Sequence, residues 1–161
     1  MEILGTVTTN SAGETEKIGR RLGELASRGL FIGLSGDLGG GKTTITRGIA
    51  RGLGINANIT SPTFQLVREY AGRERLFHFD FYRLDAEADL LDLDILGCLA
   101  DGVVVAEWSE RFEVPGADDK LLLRLEWESE NRRRIEINGA GGSGSALSDY
   151  LLSINKSEIT T

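Results

Sequence analysis

The sequence predicts an α/β protein, a three-layer sandwich with a mixed, mostly parallel central sheet and an inserted β-hairpin. The first observation is that residues 30–35 and 102–106 are short, almost wholly apolar runs, which is typical of strands buried on both faces. The second is that stretches with helical apolar spacing lie between these runs. The third is a pair of strand-like runs, 63–70 and 75–83, that only a short turn separates.

A first strand and a first helix precede the first apolar run. Residues 3–8 are expected to form the strand. Ile18, Leu22 and Leu25 then recur at helical spacing, and Gly29 is placed to end the helix that they define.

A second helix follows the glycine-rich stretch that begins at residue 36. Ile45, Ile49 and Leu53 mark its apolar face, and Gly54 lies where a glycine commonly ends a helix. The chain is therefore expected to run from a buried strand through glycines into a helix.

The middle of the chain predicts a hairpin, a helix and another buried strand. The hairpin turn is expected at residues 71–73, and three alternating phenylalanines in the second hairpin strand indicate a face turned to the core. Asp85 is placed to cap a helix over residues 86–96. The strand at 102–106 then delivers Glu107 at its carboxyl end.

The C-terminal part predicts two strands and a short helix. Residues 120–128 alternate cleanly, and their apolar side carries Leu121, Leu123, Leu125 and Trp127. Residues 133–137 are expected to pair with them as an edge hairpin. From Gly139 the sequence GAGGSGS is typical of a flexible connector, which a short helix and a polar tail follow. We therefore divide the single domain into a main part, 1–138, and this C-terminal segment, 139–161.

Composition excludes several classes of protein. One cysteine and one histidine rule out a disulfide framework and a Cys/His zinc site. A net charge of −7 argues against a chain that binds nucleic acid by itself, and the basic cluster 132–134 is interpreted as a solvated face of a strand. No apolar run reaches the roughly 18 residues of a membrane span, and the stretch MEILGTVTTN lacks the features of a secretory signal. We expect a cytoplasmic protein that does not bind membranes.

The stretch GDLGGGKTT, residues 36–44, matches the Walker A pattern between a strand and a helix. Glycines let backbone N–H groups crowd around an anion, and the helix N-terminus adds partial positive charge. Lys42 is placed to reach the β- and γ-phosphates and the Thr43 hydroxyl to ligate Mg²⁺. Thr44 needs no role beyond the first helical turn. The sequence therefore predicts a P-loop NTPase-like fold. The candidate nucleotide contacts in the loop are Gly36, Asp37, Leu38, Gly39, Gly40, Gly41, Lys42, Thr43 and Thr44.

Nucleotide hydrolysis also needs acids and a group that positions the attacking water. Glu107 resembles a Walker B acid, which holds Mg²⁺ through water or orients the attacking water; the alternative is a carboxylate that only caps a turn. Asp80 lies opposite the phenylalanine face of its strand, so it points into a polar cleft or pairs with Arg83. Thr63, in the loop ITSPTF, is the candidate for a switch threonine that senses the γ-phosphate and the metal.

Four stretches together resemble the TsaE (YjeE-type) family: GDLGGGKTT, SPTF, HFDFYRL and VVVAEWSER, in this order and at these separations. The resemblance covers about residues 11–134. It implies a bacterial P-loop ATPase, residues 1–138, that binds ATP and Mg²⁺ and hydrolyses ATP slowly by itself. It also implies a complex with the TsaD and TsaB proteins. That complex transfers a threonylcarbamoyl group to the adenosine next to the anticodon of tRNAs that read codons beginning with A, and ATP hydrolysis resets it between turnovers.

The resemblance implies roles for individual residues. The implied catalytic residues are Lys42, Thr63, Asp80 and Glu107, and the implied metal ligands are Thr43, Asp80 and Glu107. Trp108 is expected to pack beside the second acid, and Glu110 and Arg132 correspond to nucleotide contacts. Ser109 stands where relatives often have proline. His78 belongs to the family motif and is interpreted as a packed structural residue. Given the net charge of −7, tRNA is expected to be reached only through the partner proteins.

Three alternatives remain at this point. A GTPase is suggested by DILG at Asp94 and NKSE at Asn155, although chance accounts for the first and the second lies close to the chain end. A small-molecule kinase would use Arg73 and Arg75 of the hairpin as a lid over its second substrate. A nucleotide-gated interaction module, in which docking and not hydrolysis is the function, overlaps with the family interpretation.

Overall fold

A computed structural model describes residues 2–37, 39, 41–60, 62 and 66–154. Within these ranges the strands are β1 (Gly5–Thr9), β2 (Phe31–Gly36), β3 (Val67–Tyr70), β4 (Arg75–Asp80), β5 (Gly102–Glu107), β6 (Lys120–Trp127) and β7 (Arg133–Ala140). The helices are α1 (Ala12–Leu25), α2 (Lys42–Gly52), α3 (Glu87–Leu91), α4 (Ile95–Asp101) and α5 (Gly141–Ser153). Short 3-10 turns follow β4 and β5, at Phe81–Arg83 and Ser109–Arg111. Four residues for which candidate roles were predicted lie outside the described residues: Leu38, Gly40, Thr63 and Asn155.

The strands form one seven-stranded sheet in the order β1-β7-β6-β2-β5-β4-β3. The four central strands, β6, β2, β5 and β4, are mutually parallel. The outer pairings, β1 with β7, β7 with β6 and β3 with β4, are antiparallel. The predicted mixed, mostly parallel sheet and the predicted hairpin are therefore confirmed.

Helices cover both faces of the sheet and bury two apolar clusters. One cluster joins α1, α2 and α5 to the sheet face that carries Leu121, Leu123 and Leu125. The other joins α3 and α4 to the opposite face and contains the phenylalanines of the second hairpin strand. The three-layer sandwich is confirmed. Trp127, expected on the apolar side of β6, is 53% exposed at the strand end.

Glycines set how closely α1 and α2 pack, a role that the sequence analysis did not assign. A Cβ atom on Gly19 would lie 2.4 Å from the backbone oxygen of Ile45, and one on Gly48 would lie 2.2 Å from that of Glu16. The two helix backbones are therefore in direct contact at these positions. Since α2 begins with Lys42, directly after the glycine-rich loop, this contact fixes the position of the helix at which the loop ends.

Two predicted helix boundaries near glycines have different outcomes. Gly54 has φ +79° directly after the α2 C-cap, as predicted. The prediction that Gly29 ends the first helix is wrong, because α1 ends at Leu25 and Ala26 is its C-cap. Gly29, with φ +99°, forms the turn that leads into β2.

The predicted connector at residues 139–145 is wrong. β7 continues to Ala140, and α5 begins at Gly141. The glycines serve close packing here: a Cβ on Gly144 would lie 2.0 Å from the Lys120 oxygen, and one on Gly139 would lie 2.2 Å from the Gly144 oxygen. The helix backbone thus packs directly on the strands. β7 is also not an edge strand, because β1 pairs with its outer side.

The single helix expected over residues 86–96 is two helices, α3 and α4. Asp85 does not cap the first; instead, the Asp89 carboxylate accepts hydrogen bonds from the backbone N–H groups of Asp85 and Ala86. Asp94, with φ +49°, is the N-cap of α4 and accepts from the backbone N–H of Gly97. In the part of the chain described here, no helix is both long and apolar enough to cross a membrane. The expected cytoplasmic location stays a prediction.

Candidate phosphate-binding site

The glycine-rich loop connects the carboxyl end of β2 to the first turn of α2. Gly36 and Gly41 have φ angles of +118° and +106°, which favour glycine. A Cβ on Gly36 would also lie 2.0 Å from the backbone oxygen of Leu125 in β6. Gly41 is the N-cap of α2 and has no side chain with which to cap the helix, and a helix N-terminus is a favourable position for an anion.

Lys42, the first residue of α2, turns its side chain back along the loop. Its Nζ atom donates hydrogen bonds to the backbone oxygens of Gly36 and Asp37, both at 2.8 Å. The same atom lies 4.1 Å from the centre of the Trp108 ring. Burial lowers the pKa of Lys42, while the nearby carboxylates of Glu110 and Glu107 act in the opposite direction. The ammonium group is therefore held at the loop in a largely enclosed position.

Two acids lie side by side on neighbouring parallel strands. Asp80 ends β4 and Glu107 ends β5, and the two are register partners. The Glu107 side chain is almost fully buried: its Oε1 accepts from the Thr43 hydroxyl at 3.2 Å, and its Oε2 lies 2.5 Å from Nε2 of His78. The predicted strand-end position of Glu107 is confirmed, and this carboxylate binds side chains of two other elements.

Asp80 caps the 3-10 turn that follows β4, since its Oδ1 accepts from the Tyr82 backbone N–H at 3.0 Å. Burial raises the pKa of Asp80, and the charge of Glu107 raises it further. The Tyr82 N–H and the positive charge of Arg83 act in the opposite direction. Asp80 is thus a carboxyl group that resists ionisation more than an ordinary aspartate does.

A cavity of about 510 Å³ brings the loop and the acids together. Its lining residues are Gly39, Gly41, Lys42, Thr43, Thr44, Asp80, Tyr82, Glu107 and Trp108. Seven of these nine residues were singled out from the sequence as candidate site residues; Trp108 was expected to pack nearby, and only Tyr82 was missed. The Tyr82 and Trp108 rings lie 5.0 Å apart and form one wall.

Four of the described residues that were predicted as nucleotide contacts do not line this cavity: Gly36 and Asp37 of the loop, and Glu110 and Arg132. Glu110 lies behind the loop: its Oε2 accepts from the Gly36 backbone N–H at 3.1 Å, and burial raises its pKa. Arg132 forms an ion pair with Glu128 at 3.1 Å. Its neighbours Asn131 and Arg133 instead line a separate cavity of about 100 Å³. That cavity shares Gly39, Gly41 and Thr44 with the larger one.

The basic cluster 132–134 is only partly the solvated strand face that was predicted, because Arg132 is exposed and precedes β7, whereas Arg133 and Arg134 are half-buried at the start of that strand. Acidic residues accompany these arginines. Arg134 pairs with Glu126 at 2.8 Å, and Arg124 of the neighbouring strand pairs with Glu136 at 2.7 Å. These ion pairs offset the charges of Arg124 and Arg134 with those of Glu126 and Glu136.

The arrangement has the parts of a site for a phosphorylated ligand and a divalent cation. The hydroxyl of Thr43 and the carboxylates of Glu107 and Asp80 are oxygen donors of the kind that Mg²⁺ prefers. Among the described residues, no group of three or more His, Cys, Asp or Glu side chains is placed to hold a metal. Mg²⁺ commonly binds one or two carboxylates together with substrate phosphates.

A parallel central sheet, a glycine loop between β2 and α2, and acids at the ends of neighbouring strands define a P-loop NTPase-like protein. A family model described as threonylcarbamoyl adenosine biosynthesis protein TsaE matches residues 9–135. The chain belongs to the TsaE family, whose proteins are named for the biosynthesis of threonylcarbamoyladenosine in tRNA.

Individual relatives agree with this assignment. The chain is 47% identical over 129 residues to the tRNA threonylcarbamoyladenosine biosynthesis protein TsaE of a Nostoc species, an alignment that covers 76% of this chain and 78% of the relative. It is 38% identical over 133 residues to the TsaE protein of Streptomyces coelicolor, covering 78% of this chain and 90% of that protein. The crystal structure of Bacillus subtilis YdiB superposes with a TM-score of 0.74 at 28% identity, covering 94% of this chain and 97% of YdiB.

Proposed function

We propose that this protein binds ATP with Mg²⁺ and hydrolyses the ATP as part of tRNA threonylcarbamoylation, in a complex with the TsaD and TsaB proteins. The observation that carries the proposal is the shared cavity of Lys42, Thr43, Asp80 and Glu107 at the start of α2. Its volume, about 510 Å³, falls within the range of small-molecule sites.

The loop and the N-terminus of α2 would hold the phosphates. Backbone N–H groups at a helix N-terminus bind anions, and Lys42 supplies a full positive charge beside them. The small cavity continues from Gly39, Gly41 and Thr44 to Asn131 and Arg133, which makes it the candidate place for the remainder of the nucleotide. On this account Asn131 and Arg133 contact the nucleotide in place of Arg132.

Mg²⁺ would be held between the nucleotide phosphates, the Thr43 hydroxyl and Glu107. When bound, this ion neutralises the charge that develops on the phosphates during transfer. Glu107 is the better metal acid, because its Oε1 lies against the Thr43 hydroxyl. Asp80 lines the same cavity further along the sheet edge and is the candidate to orient the attacking water.

The contacts of Lys42 support slow hydrolysis by the isolated chain. Its ammonium group is shared by two loop carbonyls and the Trp108 ring, and these contacts must weaken before it can bind phosphate oxygens fully. A partner that moves Trp108 would release the lysine. Stimulation by TsaD and TsaB is therefore expected, and with a net charge of −7 this chain is expected to reach tRNA through them.

The structural contacts disfavour two alternatives. Arg73 donates to the backbone oxygens at the end of α1, and Arg75 pairs with Glu69, so the hairpin arginines are engaged away from the cavity. The contacts of these arginines therefore do not support a kinase lid. Asp94 caps a helix and does not end a strand, which removes the basis for a GTPase switch at that residue.

The test is ATP hydrolysis by the purified chain, alone and with purified TsaD and TsaB, in the presence of Mg²⁺. We expect slow release of inorganic phosphate by the chain alone and strong stimulation by the pair. Hydrolysis that stays unchanged on adding both partners would contradict the proposal. So would phosphate transfer to a small acceptor, which would indicate a kinase. If a variant that cannot hydrolyse ATP still docked to the partners and tRNA was still fully modified, the protein would instead be a nucleotide-gated interaction module.

A further inference from the structure

His78 lies beneath the acids, on the same side of the sheet. In β4 it is two residues before Asp80, and in the parallel register it stands opposite Val105 of β5. Its side chain is 0% exposed. The neighbours on this side of β4 and β5, Leu76 and Val103 among them, are part of the apolar cluster under α1 and α2. A polar ring at this position is costly unless its nitrogen atoms are hydrogen-bonded.

The ring has one hydrogen bond among the described residues, and that bond is to Glu107. Nε2 lies 2.5 Å from Oε2 of Glu107, and because an ionised carboxylate only accepts, we assign Nε2 as the donor. The other ring nitrogen, Nδ1, is buried without a partner in the described part of the chain. The polar chemistry of His78 is therefore directed at one atom, the inner oxygen of Glu107.

This contact fixes the direction of the Glu107 carboxylate. With Oε2 held from below by His78, Oε1 is the oxygen that faces Thr43 at the start of α2. Loss of the histidine would leave a buried oxygen without its donor and would free the carboxylate to rotate. Mutation of a residue that hydrogen-bonds to a metal ligand typically lowers metal affinity or activity by about 10–100-fold.

We propose that His78 is a positioning residue, which holds Glu107 so that Oε1 is presented to the Mg²⁺ that accompanies the nucleotide. The proposal rests on the function proposed above. It differs from the interpretation of His78 as a packed structural residue, because it predicts an effect on the metal that packing alone does not produce.

The test compares His78→Gln with His78→Asn. Both replace the ring by an amide, but only the glutamine amide is long enough to approach the position of Nε2. The measurement is the affinity for a non-hydrolysable ATP analogue, by calorimetry, with and without Mg²⁺. In the wild type, Mg²⁺ is expected to increase the affinity for the analogue. In His78→Gln this increase should stay within about threefold of the wild-type value, and in His78→Asn it should be smaller by about 10-fold or more. Without Mg²⁺, all three proteins should bind the analogue alike.

A double-mutant cycle separates positioning from packing. In a Glu107→Gln background, His78→Asn should cause no further loss of the gain from Mg²⁺, since the oxygen that it positions has changed. Three results would each overturn the proposal. His78→Asn could lose affinity for the analogue equally with and without Mg²⁺, or it could keep the full increase in affinity that Mg²⁺ gives. The third is that the losses of this increase add up in the double variant. If His78→Asn does not fold, His78→Leu takes its place in both arms. A wild type that does not bind the analogue at all would instead contradict the proposed function.

Discussion

The Nζ atom of Lys42 lies 4.1 Å from the centre of the Trp108 ring, so the candidate phosphate-binding cation rests on an aromatic face. Trp108 itself has a left-handed backbone, with φ +59°, directly after the strand that ends in Glu107. An indole ring binds a cation through the negative charge on its face. Binding of a nucleotide and release of the lysine should therefore be visible at this tryptophan.

We predict that adding ATP and Mg²⁺ changes the fluorescence of Trp108. The change is expected because phosphate oxygens draw the Lys42 ammonium away from the ring. Trp127, the other tryptophan, is 53% exposed, lies at the end of β6 and does not line the cavity. A Trp127→Phe variant should thus keep the full change and Trp108→Phe should lose it. The opposite pattern would contradict the proposed contact.

Replacing Asp80 by asparagine should separate stability from activity. Burial raises the pKa of Asp80 in the folded protein, so the ionised form is disfavoured there and folding gains stability as pH falls through this pKa. Asparagine has no charge and retains an oxygen that can accept from Tyr82. At neutral pH, Asp80→Asn should therefore unfold at a higher temperature, while partner-stimulated hydrolysis falls by about 100-fold or more.

The control for this variant is Asp149→Asn, an exposed aspartate of α5, which should change neither quantity. In the wild type, hydrolysis should fall on acidification at a pH above that expected for an ordinary aspartate. A wild type that is fully active at pH values where Asp80 is protonated would exclude it as the group that orients water. Lower thermal stability of Asp80→Asn at neutral pH would contradict the stated direction.

The contact between α1 and α2 should make Gly48→Ala strongly destabilising. The new Cβ would lie 2.2 Å from the backbone oxygen of Glu16, and a backbone atom cannot move away as a flexible side chain can. We expect a loss of about 2 kcal/mol or more in the free energy of unfolding, measured with urea. Gly13→Ala, in the first turn of α1, is the matched control. There the nearest atom is the Ser11 hydroxyl oxygen at 3.7 Å, so alanine should be neutral or stabilising by up to about 1 kcal/mol. Equal effects of the two substitutions would contradict the packing described.

Glu110 should affect nucleotide affinity although it does not line the cavity. Its carboxylate binds the N–H of Gly36, the first residue of the loop, and its removal should loosen that end of the loop. We expect Glu110→Ala to weaken binding of the ATP analogue by about 3- to 10-fold, which corresponds to a hydrogen bond of ordinary strength. Glu113→Ala, at an exposed position of the same segment, serves as the control. Unchanged affinity in Glu110→Ala would show that the loop does not need this contact.

The core of the site was predictable because local sequence determines it. Lys42 and Thr43 follow the loop glycines at the start of a helix, and Glu107 ends an apolar strand, so neighbouring residues alone indicate their positions. Asp80 was predictable from strand alternation. The surroundings of Arg132 were not predictable, because they depend on the pairing of β6 with β7. Arg132 pairs with Glu128, and its neighbours Asn131 and Arg133 line the cavity that includes Gly39 and Gly41, so the role of Arg132 as a nucleotide contact stays a prediction.

Two further errors come from glycine, whose two uses look alike in sequence. Residues 139–145 have the composition of a linker, yet Gly139 and Gly144 are close contacts between a helix and strands. Gly29 was expected to end the first helix, but it lies in a turn after that helix, where it has a left-handed backbone. The hydrogen bond between His78 and Glu107 was also not predictable, since it joins side chains 29 positions apart whose contact depends on the pairing of β4 with β5.

The most direct test of the account is a calorimetric titration of the purified chain with ATP and Mg²⁺, beside Lys42→Ala. Wild-type protein is expected to bind one ATP, and competition should favour ATP over GTP. Lys42→Ala should stay folded and lose at least about 10-fold in affinity, because the charge beside the loop is removed. Undetectable binding by the wild type, or equal affinity in Lys42→Ala, would contradict the claim that the loop before α2 is a nucleotide phosphate site.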